Sequence, residues 1–144
     1  MSLLDSMLDK SMDEVETAAE YLDLPNGEYH LEIVKAEPKE YPAKDDKPAS
    51  VAVTVTYSVL ETVALNDANQ TPVDEGSMNS ERFNLNEQGL PFFKRYLTNV
   101  FGEADGVSLG EAITALKGTQ ISCLVKNREH NGTNYMSTSR QAQL

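Results

Sequence analysis

The residues able to do chemistry in this chain are scattered cations and tyrosines. Lys39, Lys44 and Lys47 surround Tyr41 in segment 38–48, PKEYPAKDDKP. Arg82 precedes Phe83. Lys126 and Arg128 come just before an Asn131-Gly132 pair, and Tyr135 and Arg140 follow it. Cationic side chains follow a phosphate backbone, and a tyrosine face stacks on an unpaired base for roughly 1–3 kcal/mol per stack. Lys39, Tyr41, Lys44, Lys47, Arg82, Lys126, Arg128, Tyr135 and Arg140 are therefore the expected contacts of a single-stranded nucleic acid. The same residues also admit a plainer reading. Glu37, Glu40, Asp45 and Asp46 leave the lysine segment with little net positive charge, as in any solvated loop. Tyr41 can fold back on its own domain, and the Arg128–Tyr135 pair can be simple surface.

Catalytic patterns do not emerge. The two histidines, His30 and His130, have no neighbouring motif. There is no phosphate-binding glycine loop, nucleophile elbow or metal-ligand spacing. Asp45-Asp46 and Asp74-Glu75 are adjacent acids in polar stretches, a thin basis for a metal-dependent nuclease. The single Cys123 excludes an internal disulfide and a cysteine-rich zinc site, and its strand-like surroundings make it a small core residue. The expectation is a non-enzymatic protein without a cofactor or metal.

A length of 144 residues suits one domain, which can bury roughly two-thirds of its unfolded surface. The net charge is −11, which argues against indiscriminate binding of nucleic acid. That charge is uneven. Residues 1–24 hold seven acids against Lys10, and the rest of the chain holds 16 acids and 11 bases. No apolar run approaches the ~18 residues of a membrane helix, and the N-terminus lacks the features of a secretion signal. A soluble, cytoplasmic protein is expected.

The elements that must position these residues are mostly strands. In Ser50–Thr62, Val51, Val53, Val55, Tyr57 and Val59 alternate with small and polar residues, the period of a half-buried strand. Before it, Leu24-Pro25-Asn26-Gly27 breaks the chain, a strand is expected over Glu28–Glu37, and 38–48 reads as a loop. After it come a long polar connection and a third strand over Ser77–Leu85. Parity turns Tyr57 and Phe83 inward and Arg82 outward. A helix over Leu90–Phe101 follows, with Pro91 in its first turn and Gly102 as its stop. A second spans Ser108–Lys117, opened by a Ser108/Glu111 capping box. Strands over Thr119–Arg128 and Thr133–Ser139 flank Asn131-Gly132, the strongest hairpin signal present. A two-residue turn there pairs His130 with Thr133, Arg128 with Tyr135, Asn127 with Met136 and Val125 with Thr138. Residues 140–144 read as a short tail. Over residues 1–24, Leu4, Met7, Leu8, Met12, Val15, Ala19 and Leu22 make one apolar stripe with acids opposite.

The resulting order is an acidic helical arm (1–24), then three strands, one or two helices and two strands (25–144). A mainly β chain with helices inserted between strands three and four matches a five-stranded OB-fold-like barrel. Such a barrel binds along strands two and three and the loops joining strands one to two and four to five. Leu24-Pro25-Asn26-Gly27-Glu28-Tyr29, Phe83-Asn84-Leu85 with its following helix, and Leu116-Lys117-Gly118-Thr119 together resemble bacteriophage single-stranded DNA-binding proteins with an OB-fold. The resemblance implies non-specific binding of single-stranded DNA in phage replication or recombination, within the host cytoplasm. It also implies replication or recombination partners reached through an acidic segment, which is N-terminal here, and it admits a homo-oligomer. The alternative is a protein-binding β-barrel, such as a phage adaptor, inhibitor or virion component, acting through the acidic N-terminal helix.

Overall fold

The computed structural model describes residues 3–9, 22–103 and 106–144. Helix α1 (Leu3–Leu8) is followed by strands β1 (Gly27–Tyr41), β2 (Ser50–Leu65) and β3 (Met78–Asn84). Helices α2 (Leu90–Phe101) and α3 (Leu109–Leu116) lead to β4 (Gln120–His130) and β5 (Thr133–Gln143). The expected arm stripe beyond Asp9, from Met12 to Ala19, lies outside the described residues. Among the described residues no helix is long and apolar enough to cross a membrane.

The five strands form one antiparallel sheet in the order β3-β2-β1-β4-β5. Period-2 patterning sets its inner face. Val53, Val55, Tyr57 and Val59 of β2 are buried with Tyr29, Leu31 and Ile33 of β1 and Ile121, Cys123 and Val125 of β4. Val51 shares their parity yet is exposed, because the β1–β2 ribbon outruns the core. The sheet is open: β3 and β5 are its two edges, and no backbone ladder joins them.

Helix α2 lies against both edge strands. Its Phe93, Tyr96, Leu97 and Val100 recur at helical spacing and are buried. Phe83 of β3 packs between two of them, its ring centroid 5.0 Å from Phe93 and 4.9 Å from Tyr96. A close approach fixes the helix start. A Cβ on Gly89 would sit 2.0 Å from the Asn84 carbonyl oxygen, so only glycine fits there. At the start of α3, Ser108 Oγ accepts from the Glu111 N–H at 3.2 Å, which is half of the expected capping box.

The β4–β5 register is the one implied by a two-residue turn. His130 pairs with Thr133, Arg128 with Tyr135, Asn127 with Met136 and Val125 with Thr138. Asn131 and Gly132 both have positive φ, 52° and 78°, as that turn requires. Asn127 anchors the ribbon base: its N–H donates to Asn26 Oδ1 at 2.9 Å, and Asn134 Nδ2 donates to Asn127 Oδ1 at 3.0 Å.

Two expectations need correction. Segment 38–48 is not wholly loop, because β1 runs on to Tyr41 and pairs Glu40 with Val51 and Tyr41 with Ser50. Pro38 is tolerated because the paired stretch of β4 reaches only Glu32, leaving this part of β1 an edge on that side. Residues 140–144 are not a tail either. Strand β5 continues to Gln143 through a bulge in which Arg140 and Gln141 oppose Cys123. Leu24 is fully buried, and the Leu22 N–H donates to the Met78 carbonyl at 3.0 Å.

Candidate nucleic-acid interface

The outer face of β1, β2 and β3 is built in rows. Tyr41 lies beside Ser50, Lys39 beside Ala52 and Asn84, and Glu37 beside Thr54 and Arg82. The β2 member of each row is small, so the long neighbours lean together over it. The Arg82 guanidinium sits 4.5 Å from the centre of the Tyr41 ring and Lys39 Nζ 5.3 Å from it. Each cation–ring contact at such a site is worth about 0.5–1 kcal/mol. Together they set two cations against a half-buried aromatic. Glu37, the acid in this patch, is paired with Lys35 at 3.3 Å.

Arg82 also lines a cleft of about 590 Å³ along the seam where β3 approaches β5. Alternation explains the arrangement: Glu81 points into the seam and Arg82 out of it. The buried Glu81 carboxylate, 5% exposed, accepts from the Thr138 N–H at 3.0 Å, from the Thr138 hydroxyl and from the Tyr57 hydroxyl. A side chain thus bridges β3 and β5 where no ladder does. Tyr57 and Tyr96 share a further hydrogen bond at 2.7 Å. Burial raises the Glu81 pKa above its ordinary value, against the pull of the Thr138 and Tyr57 hydrogen bonds. Burial, with Glu81 and Tyr96 nearby, also raises the Tyr57 pKa.

Three arginines rim this cleft: Arg82 of β3, Arg95 of α2 and Arg140 of β5. Among the described residues none of them forms a salt bridge. Among the described residues Glu81 is the only acid in the lining, and its carboxylate is turned away. Phe92, 62% exposed, lies on the cleft flank of α2 with the Arg95 guanidinium 6.0 Å from its ring centre. Arg140 has φ 50°, the left-handed region, at the first position of the β5 bulge, where glycine is the usual occupant. Bulges re-aim side chains, and this one sets an arginine on the cleft wall.

The other expected contacts fall into two groups. Arg128 and Tyr135 are cross-strand neighbours on the outer face of β4–β5, with Lys126 beside Ser137. Tyr135 is 51% exposed and shares its parity with Ser137 and Ser139, which line the cleft. At about 3.4 Å per residue, its Cα is about 7 Å along the strand from that of Ser137. Lys44 and Lys47 sit at the β1–β2 tip, bridged through their backbones at 2.9 and 3.0 Å, with exposed side chains. They are not among the cleft residues. Lys39 and Arg82 thus meet at Tyr41, Arg82 shares the cleft with Arg140, Lys126, Arg128 and Tyr135 lie on the outer face of β4–β5, and Lys44 and Lys47 stand apart.

Sequence reasoning missed Phe92 and Arg95. The signal was present: Phe92 falls off the apolar stripe of its helix, and Arg95 follows it at i+3. Cys123 is buried and its thiol is pushed up to about 12, by burial first and by Glu81 and Glu28 second, which leaves it no nucleophilic character at neutral pH. Among the described residues no cluster of His, Cys, Asp and Glu side chains could hold a metal ion. No protein-family model matches the chain, nor does any curated protein sequence.

Proposed function

We propose that the protein binds single-stranded DNA without sequence preference, as an OB-fold-like module of phage replication or recombination in the host cytoplasm. The observation that carries the reading is the double placement of Arg82, over Tyr41 on one side and in the arginine cleft on the other. It joins an aromatic platform to a phosphate track. In this reading bases stack on Tyr41, Phe92 and Tyr135, while Lys39, Arg82, Arg95 and Arg140 follow the backbone. A duplex hides its base faces, so single strands are preferred. The bridged approach of β3 to β5, with α2 across the seam, supports a partly open barrel as the finer description of the sheet.

Four phosphate contacts give a salt slope of about −3, from about −0.7 per neutralised phosphate on a single strand. The experiment is anisotropy of fluorescent oligothymidine and of a matched duplex at several salt concentrations. Tighter binding of the single strand, weakened by Tyr41→Ala and by Arg82→Ala, is expected. Absence of binding, including after removal of residues 1–24, would overturn the reading. One observation favours the protein-binding alternative: α1 buries none of its residues and exposes Leu3, Leu4, Met7 and Leu8. Retained partner binding with no DNA affinity would select that reading.

A further inference from the structure

The flank of α2 opposite the arginine cleft forms a second concavity. Helices α2 and α3 enclose a groove of about 900 Å³. Its floor is apolar, with Leu90, Leu97 and Phe101 of α2 facing Leu109 and Ala112 of α3. Leu109 is 42% exposed, and Val107 at the mouth is 48% exposed. Among the described residues the charged side chains of the rim are Glu87, Glu103 and Glu111 against Lys94. With twelve residues in α2 and eight in α3, the groove runs about 12–18 Å, the length of two to three helical turns.

An apolar floor under an acidic rim complements a helix that is apolar on one face and basic on its flanks. We propose that this groove is the docking site for a basic amphipathic helix of a partner protein. The chain's own α1 matches the floor through its leucines but not the rim, since residues 1–24 carry seven acids against one base. The site is independent of DNA binding. Helix α2 turns Phe92, Arg95 and Asn99 to the cleft and Leu90, Lys94 and Phe101 to the groove, so each flank is free when the other is filled.

The test is a titration of the isotope-labelled full chain with two synthetic peptides, followed by amide chemical shifts. Both carry leucines at i, i+3, i+4 and i+7; one has lysines at the remaining positions and the other glutamates. The lysine peptide is expected to give saturable shifts at Leu90, Lys94, Phe101, Leu109 and Ala112, and to bind about tenfold more tightly than the glutamate peptide. The double variant Glu87→Lys, Glu103→Lys, at two exposed positions, is expected to reverse that preference. Should that variant fail to fold, the peptide comparison on the unaltered chain decides. Equal affinity for the two peptides, unsaturable shifts spread over the acidic surface, or shifts confined to the arginine cleft would overturn the proposal. Removing residues 1–9 is expected to leave the groove resonances of the free protein unmoved. Movement would make α1 the occupant, and dependence on protein concentration would make it a second copy; either result also overturns the proposal.

Discussion

Arg140→Gly separates stability from binding at one position. An L-residue in the left-handed region costs roughly 1–2 kcal/mol, and Arg140 sits there with φ 50°. Glycine removes that strain but adds freedom to the unfolded chain, at a cost of about 0.4–1 kcal/mol. The net gain is about 0.5–1 kcal/mol, or about 2–3 °C in Tm for a domain of this size. Binding moves the other way. One cation leaves the cleft, so the salt slope becomes shallower by about 0.7. The affinity for oligothymidine falls about fivefold, equivalent to about 1 kcal/mol. Urea unfolding and anisotropy on the same preparations measure both quantities. Arg140→Ala is the control, since it retains the strained Cβ and loses the charge. It should bind as weakly as the glycine variant without its added stability. A glycine variant that is less stable, or that binds as well as the unaltered protein, would overturn this expectation. Either the left-handed bulge is then not strained, or Arg140 does not face the ligand.

Three further outcomes are expected. Glu81 has a folded pKa raised above its ordinary 4.5, so its contribution to stability is full below about that pH and is lost as pH rises through the folded value. The Tm of the unaltered protein should therefore rise relative to Glu81→Gln as pH falls from neutral toward 4.5, and parallel Tm–pH curves would contradict this. Phe92→Ala should change stability by less than about 0.5 kcal/mol, because the ring is exposed, yet weaken oligothymidine binding about fivefold through a lost stack. Gly89→Ala should destabilise the fold by about 2 kcal/mol or more in urea unfolding, because its Cβ would meet the Asn84 carbonyl at 2.0 Å.

The features legible in the sequence were those set by local chemistry. The alternation from Val53 to Val59 gave the inner face of β2, and Asn131-Gly132 gave a turn whose two residues fixed the β4–β5 register. The off-stripe position of Phe92 was legible too, but only to a reader asking what the solvent face of α2 carries. Features that depend on distant partners were not legible. Residues 38–41 look like loop until Val51 and Ala52 are placed beside them. Arg140 looks like a tail residue until Ser122 pairs with Ala142 and Gln141 reaches Asn99 of α2 at 2.8 Å. The seam is the extreme case. Glu81 and Thr138 are 57 residues apart, and nothing local to either marks the other as its partner. That contact brings Arg82 and Arg140, expected separately, to one cleft.

The proposed function assigns a single strand to one surface, running from Tyr41 across the seam to Phe92. Its most direct test is an amide chemical-shift map of the labelled protein titrated with oligothymidine. Saturable shifts are expected to form one patch including Tyr41, Arg82, Phe92, Arg95, Ser137 and Arg140. Shifts confined to the groove between α2 and α3 or to Lys44 and Lys47 at the ribbon tip would contradict it, as would no shifts at all.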